Sequence, residues 1–508
     1  MPDIDIGRID IDSTLKLFRE CTPRLLVVTD GALDAGPGGF GLSRFVSTLK
    51  NTTIHGMKPT VVTRPRFANA PDDAFDDLAI STFDVIFLFG INTTGDPLSG
   101  PALDRVKEFM QDGGGVFATG DHEDLGTGMS GAIPRVRNMR YWALAETPNA
   151  SDASRLTTNL SGVDRVFEFD DQADNQPQRL YANFAIPSDY LLLTTFPPVS
   201  TKVRLPHPLV RMADGSALDV YPDHPHEGEC RIPTDFSTTF DLDGQTLAEW
   251  PNQSFFARPR PRAVASTMSF GNGFDSPGKD AVAPRAFISI AAYNGQAANV
   301  GRVVTDATWH HYVNINLNGM LVGNMPNADL QRIQNYWSNL ATWLMPATTR
   351  MCLWPWIVIK TLREHALAEE IRIPIDRDLD LGELHTIGQA VLSAAGNLAG
   401  GVALDLFADV LSTIIEPERV SKPADEPGVS DAVLEAVAAV VGSYVVGVSR
   451  AAATGELAHD DDGFSRAVRQ IAPKLVDSVL ESQRAQLKRR AEGLEILDSS
   501  FRRELVPV

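Results

Sequence analysis

The chain has 508 residues, and 45 Lys and Arg against 65 Asp and Glu give it a formal net charge of −20. Its 43% hydrophobic content is that of an ordinary globular protein, with enough chain for roughly two to four domains. The acidity argues against nucleic acid or an anionic membrane surface as a partner, because both attract clustered cationic side chains.

Three features of the chain favour a cytoplasmic protein. Its three cysteines, Cys21, Cys230 and Cys352, are far apart and predict no disulfide framework. The first residues lack the basic and apolar stretches of a signal peptide. The uncharged stretch 386–404 contains too much Ala, Gly, Ser, Asn and Gln for a membrane span, and we expect a buried helix there.

The first 145 residues or so alternate predicted strands and helices. Apolar runs predict strands at 24–30, 59–64, 83–90 and directly after Gly113, and apolar side chains at helical spacing follow the first and third of them. Ser99 and Pro101 predict the start of the second of these helices. The continuous apolar run 83–90 is typical of a strand that is buried on both faces of a parallel sheet. The short connections predict a flavodoxin-like α/β fold, with helices on both faces of a parallel sheet.

The rest of the chain changes character twice. Long segments rich in Pro, Gly and Asn predict a loop-rich insertion at about 197–285. Strands are then predicted at 286–295 and 301–311, followed by a helix that contains Trp337 and Trp343 and that Pro346 closes. We therefore predict one α/β domain over 1–348. The remainder, 349–508, has helical periodicity and predicts an all-α domain with an acidic linker at about 416–430.

Polar side chains follow the predicted strands, at the ends where functional groups gather in parallel α/β sheets. Five of the ten histidines fall in three short motifs beside carboxylates. For catalysis we predict Asp121, His122, Glu123, His310 and His311. For substrate binding we predict Asp30, Gly31, Asp34 and Trp309.

Each motif also has a purely structural interpretation. The glycine-rich segment 31–41 is typical of a tight turn between a strand and a helix, and a backbone nest for an anion is the alternative. The turn GDHED has the pattern of a nucleophile elbow with Asp121 in the reactive position, as nucleophile, base or metal ligand. Alternatively, Asp121 and His122 cap the next element. Of the adjacent histidines His310 and His311, we expect one to be functional and one to pack beside Trp309.

A metal site is predicted in the segment DHPHEGE. His224 and His226 are two residues apart, so on an extended segment their side chains share a face. Together with Glu227 they are suited to zinc or another divalent metal ion. The alternative is a solvent-exposed loop in which carboxylates hold the histidines.

These motifs together resemble a known family. The segments GGGVFATGDHED, PHPLV (Pro206–Val210) and GRVVTDATWHH are similar to those of the class I glutamine amidotransferase-like fold, and most to its ThuA-type, trehalose-utilisation branch. The resemblance covers about the first two-thirds of the chain and implies a link to sugar metabolism. True class I glutaminases have a Cys where this chain has Asp121, and this difference argues against glutamine hydrolysis by a thiolate.

The leading hypothesis is therefore a hydrolase or lyase-type enzyme for a small polar or sugar-like substrate, with metal assistance from the histidine motif. A second hypothesis is a catalytically degenerate amidotransferase-like scaffold that assembles, as a homo-oligomer or with a partner, through its C-terminal helices. A third hypothesis, nucleotide binding by Asp30 and the glycine-rich loop, lacks the lysine that a phosphate-binding loop carries.

Overall fold

The structure is a computed structural model, and it describes residues 3–5, 22–54, 57–68, 70–121, 124–142, 178–183, 206–212, 214–222, 229–252, 259–269, 285–323, 325–350, 372–374, 379–380, 382–388, 442 and 445–446.

An eight-stranded sheet forms the centre of the protein. Its strands are β1 (Arg24–Asp30), β2 (Thr60–Arg66), β3 (Val85–Phe89), β4 (Gly115–Thr119), β5 (Tyr181–Ala182), β6 (Arg262–Ser269), β7 (Arg285–Tyr293) and β8 (Val303–Asp306). Across the sheet they lie in the order β2–β1–β3–β4–β8–β7–β6–β5. The first five strands in that order run parallel, and β7, β6 and β5 are each antiparallel to their neighbours.

This mixed sheet confirms the α/β class and corrects the expected arrangement of its strands. The parallel part continues into an antiparallel edge, so the sheet is not parallel throughout. β6 lies within the segment 197–285, so that segment supplies a full strand and is not only loop. The same segment also forms a hairpin of Thr239–Leu242 with Gln245–Ala248.

Helices cover both faces of the sheet. They are α1 (Ser43–Asn51), α2 (Gly100–Gln111), α3 (Thr127–Ser130), α4 (Val136–Met139), α5 (Asn314–Leu317) and α6 (Ala328–Leu344). Because successive side chains of a strand point to opposite faces, Leu25 and Val27 of β1 join the core with α1 and α6, while Leu26 and Val28 join the core with α2. This alternation explains why β1, β3 and β4 are buried at nearly every position.

The start of α2 and the end of α6 lie where the sequence predicts. The Ser99 hydroxyl accepts a hydrogen bond from the backbone N–H of Ala102, and Pro101 lies in the first turn of α2. The amide oxygen of Asn327 accepts from the N–H of Leu330 at the start of α6. That helix stops at Leu344, ahead of Pro346.

The remaining described pieces are small. Asp3–Asp5 pairs with Arg372–Pro374, Gln178–Arg179 with Val220–Tyr221, and Leu321–Val322 with Met325–Pro326. Within the region 349–508, the structure describes the short strand Arg372–Pro374, helical residues 382–388 and a few others. The strand shows that this region is not helical throughout. The predicted linker at 416–430 lies outside the described residues. No described helix combines the length and the apolar character that a bilayer crossing requires.

Candidate functional site

The residues that follow β1 hold two neighbouring strand ends together. Oδ1 of Asp30 accepts hydrogen bonds from the backbone N–H groups of Ile91 (2.5 Å) and Asn92 (3.0 Å), which follow β3. Burial raises the pKa of Asp30, against the lowering effect of these two N–H groups. Gly31 has a φ of +59°, and a Cβ there would lie 2.3 Å from the Ile91 side chain. Asp30 and Gly31 thus have structural contacts, and substrate binding by them stays a prediction.

The glycine-rich loop is a compact turn. Oδ1 of Asp34 accepts from the N–H of Gly36 at 2.6 Å, and the N–H groups of Leu42 and Ser43 donate to carbonyls of the same loop. Asn314, from α5, donates through its amide to the carbonyls of Gly36 at 3.1 Å and Gly38 at 2.9 Å. Because these N–H groups already have acceptors within the loop, the geometry favours the tight turn over an anion-binding nest.

Asp121 follows β4 in a tight turn between two glycines. Its backbone N–H donates to the carbonyl of Leu125 at 3.1 Å, and the turn closes at Gly126, which has a φ of +91°. The buried guanidinium of Arg140 donates to the carbonyl of Asp121 at 2.6 Å and to that of Ala307 at 2.7 Å. Arg140 therefore connects the turn after β4 to the segment after β8.

His310 lies beside Asp121 because β4 and β8 are neighbours in the sheet, with Thr119 paired to Asp306. It belongs to a single 3₁₀ turn, Trp309–His311, and not to a strand as the sequence predicts. The backbone N–H of Trp309 donates to the carbonyl of Gly120 at 3.1 Å, which joins the two turns directly.

The His310 ring is held on three sides. Nε2 lies 3.2 Å from Oδ2 of Asp121, and Nδ1 lies 3.1 Å from Oδ1 of Asn316. The ring also stacks on Trp309, with a centroid distance of 4.1 Å. Asp121 and Asn316 are buried, whereas 17% of the His310 side chain is exposed. His310 is therefore the member of this set that a molecule in solution can reach.

His311 points into the core instead. Its Nδ1 lies 2.7 Å from Oδ1 of Asp306, and the ring of Tyr221 lies 3.8 Å away. Oδ2 of Asp306 accepts hydrogen bonds from the hydroxyls of Tyr312 (2.7 Å) and Tyr336 (3.0 Å). The two histidines thus have different surroundings, as expected: His310 lies at the edge of the sheet and is partly exposed, and His311 is buried.

An aromatic surface adjoins His310. Phe40, in the glycine-rich loop, is 43% exposed, and its ring centroid lies 5.5 Å from that of Trp309. Trp309 itself is buried, so Phe40 is the part of this pair that can contact a ligand. Substrate binding by Trp309 therefore stays a prediction.

The structure brings together Asp121 and His310 from the predicted set. His122, Glu123, His224, His226 and Glu227 lie outside the described residues, and the predicted metal site is among them. Within the described part of the chain, no group of three or more His, Cys, Asp or Glu side chains is placed to hold a metal ion.

The sequence did not point to Asn316 or Arg140. Both are polar residues in short segments without a recognisable motif, and only the approach of the two turns gives them a role. Cys230 is not a nucleophile in this arrangement: burial raises the pKa of its thiol to about 12.

Comparisons with known proteins add no family to this description. No protein-family model matches the chain, and no curated protein matches it significantly.

Proposed function

We propose that Asp121 and His310 are the acid–base centre of an enzyme that catalyses hydrolysis or elimination on a small polar substrate. The observation that carries the proposal is the 3.2 Å contact between a buried carboxyl and a partly exposed imidazole at the carboxyl ends of adjacent strands. That edge is where open α/β sheets bind their ligands. A flavodoxin-like core related to the ThuA-type proteins is part of the same proposal.

The chemistry follows from the proximity of the two groups. A carboxyl and an imidazole 3.2 Å apart can exchange a proton, and 17% of the His310 side chain is open to a molecule in solution. Burial of Asp121 keeps water from competing for that proton. The fixed turns on both sides hold the two groups in place, which such proton transfer requires.

Two nearby features agree with this role. Arg140 fixes the carbonyl of Asp121, so the turn does not move away from His310. The exposed ring of Phe40 offers an apolar surface against Trp309, the residue on which the imidazole stacks. A substrate with one polar reacting group and an apolar face would use both.

The test is a comparison of turnover in matched variants. The full chain is screened against chromogenic esters, amides, glycosides and lactones. Any activity found is then measured in Asp121→Asn, His310→Gln and Asp104→Asn. General acid–base catalysis contributes about 100-fold or more, so the first two variants should lose about that factor. Asp104, an exposed carboxylate on α2, is the matched control and should retain full turnover.

Two other outcomes have a defined meaning. Turnover that survives in both Asp121→Asn and His310→Gln would overturn the proposal and favour the scaffold hypothesis. Turnover that disappears with a chelator and returns with zinc would support a metal at His224, His226 and Glu227.

A further inference from the structure

Asn316 lies against the imidazole of His310. Its side chain is buried, and its amide oxygen lies 3.1 Å from Nδ1 of the ring. It lies on α5, which is fixed to the glycine-rich loop: the backbone N–H groups of Asn314 and Ile315 each donate to a loop carbonyl at 2.9 Å. The position of the Asn316 amide is therefore determined by the fold.

The hydrogen on the ring follows from this contact. An amide oxygen can only accept a hydrogen bond, so the facing nitrogen, Nδ1, carries a hydrogen. A neutral imidazole has one N–H, which leaves a lone pair on Nε2, 3.2 Å from Oδ2 of Asp121. Two lone pairs repel each other at this distance. A second proton between Nε2 and Oδ2 makes both contacts favourable at once.

We propose that Asn316 is a positioning residue that fixes the hydrogen on Nδ1 of His310, and that the His310–Asp121 pair therefore retains its shared proton in the resting protein. The site then acts first as a proton donor. In its catalytic consequence, this inference rests on the proposed function.

A retained proton limits the reactions that the site can catalyse. In the donating step, the Nε2–H bond breaks and the proton passes to an oxygen or nitrogen leaving group of the substrate. The pair is left as a neutral imidazole and a carboxylate, and a proton from water restores it. Reactions that begin by protonation of a leaving group fit this order, and reactions that begin by proton abstraction do not.

Charged groups surround the pair on the elements that hold it. Arg140, directly after α4, donates to the carbonyl of Asp121 and brings a positive charge to that turn. Asp306 and His311 form their own pair at the other end of the 3₁₀ turn. Helix α5, with the sequence NINL, contributes no charge.

The test measures the titration of His310 by NMR in the full chain with labelled histidine, and His310→Gln assigns the signal. A hydrogen bond to a charged group contributes about 1.5–3 kcal/mol, so Asn316→Leu should lower the titration midpoint by about one pH unit or more. Asn316→Asp keeps the acceptor, adds a negative charge and should raise the midpoint.

The sign of the shift decides the outcome. A midpoint that rises in Asn316→Leu would mean that the amide NH₂ faces Nδ1 and would overturn the inference, as would a midpoint that does not move. Asn318→Leu, the same substitution at an exposed site two residues later, is the matched control and should leave the midpoint unchanged. If Asn316→Leu does not fold, Asn316→Ala, which also removes the amide, takes its place, and the same fall in the midpoint is expected.

The titration is independent of turnover. If Asp121→Asn and His310→Gln keep full activity while the midpoint shifts as expected, the proposed function fails and the role of Asn316 stands. If those variants lose activity but the midpoint does not respond to Asn316, only the inference fails.

Discussion

Nδ1 of His311 lies 2.7 Å from Oδ1 of Asp306, and neither side chain is exposed to solvent. The other oxygen of Asp306 accepts hydrogen bonds from three buried tyrosines. A buried carboxylate with this many donors is a rigid point in the fold. Because His311 follows His310 directly, this buried pair fixes the turn that presents His310 at the edge of the sheet.

We expect Asp306→Asn to destabilise the protein strongly. The amide has one oxygen, and its NH₂ group would face donors that now bind a carboxylate. Leaving buried donors of this network without their acceptor costs about 1–3 kcal/mol or more, and urea unfolding followed by tryptophan fluorescence measures this loss. Asp104→Asn, at an exposed site, should change the free energy of unfolding by less than about 0.5 kcal/mol. Equal midpoints for the two variants would show that the buried pair does not stabilise the fold.

The same network predicts a loss of stability in alkali. Burial, and then the charge of Asp306, raise the pKa of Tyr221, Tyr312 and Tyr336 well above 10. In the unfolded chain these tyrosines ionise near pH 10, so the folded protein binds more protons above that pH. Stability is thus fully present below pH 10 and falls as the pH rises further, by about 1.4 kcal/mol per pH unit for each tyrosine.

Urea unfolding between pH 9 and 11, together with the absorbance of tyrosinate, measures this effect. Tyr336→Phe should make the fall of the unfolding free energy with pH less steep, by about 1.4 kcal/mol per pH unit. Ionisation of all eight tyrosines near pH 10 in the folded protein would contradict the prediction.

Cys230 should not react with thiol reagents in the native protein. Its Sγ is buried and contacts the carbonyls of Thr305 (3.3 Å) and Ser289 (3.4 Å), and its raised pKa leaves almost no thiolate at pH 8. Iodoacetamide at pH 8 should therefore leave Cys230 unmodified in buffer and modify it in urea. Peptide mass spectrometry distinguishes it from Cys21 and Cys352. Rapid labelling in buffer would show that the thiol is accessible.

Strong local signals allowed much of the fold to be predicted. The apolar runs ending at Asp30 and Gly90 gave strands that are buried on both faces, and Ser99, Pro101 and Pro346 gave helix boundaries. A hairpin within the predicted loop-rich segment also has a signal: Asp243–Gly244 is a typical two-residue turn directly after the alternating apolar residues Phe240 and Leu242. The antiparallel direction of β6 and β7 could not be predicted, because a buried strand has the same composition in either direction.

The candidate site could be predicted only in part. Asp121 could be predicted because it directly follows an apolar strand, and His310 because it lies at the end of a predicted strand, beside a second histidine. Asn316 and Arg140 act through the approach of two turns that are almost 190 residues apart in the chain, and no local pattern encodes that approach. The 3₁₀ turn at Trp309–His311 was also unexpected, because the apolar run before it continues with aromatic residues that favour strands.

The turn that carries Asp121 has no room for a side chain at Gly120. A Cβ on Gly120 would lie 2.7 Å from both the carbonyl oxygen of Leu125 and Nη1 of Arg140. That carbonyl already accepts the N–H of Asp121, so Gly120→Ala must displace the turn from its partner. We expect it to cost about 1–3 kcal/mol in the free energy of unfolding.

The same displacement should separate Asp121 from His310, so Gly120→Ala should also shift the His310 titration and lower any turnover. Gly38→Ala is the matched control, because a Cβ on Gly38 has no neighbour within 4 Å. It should leave the unfolding midpoint and the titration unchanged. If the two variants unfold at the same urea concentration and titrate alike, the turn tolerates a side chain at Gly120, and the position of Asp121 is less fixed than its contacts imply.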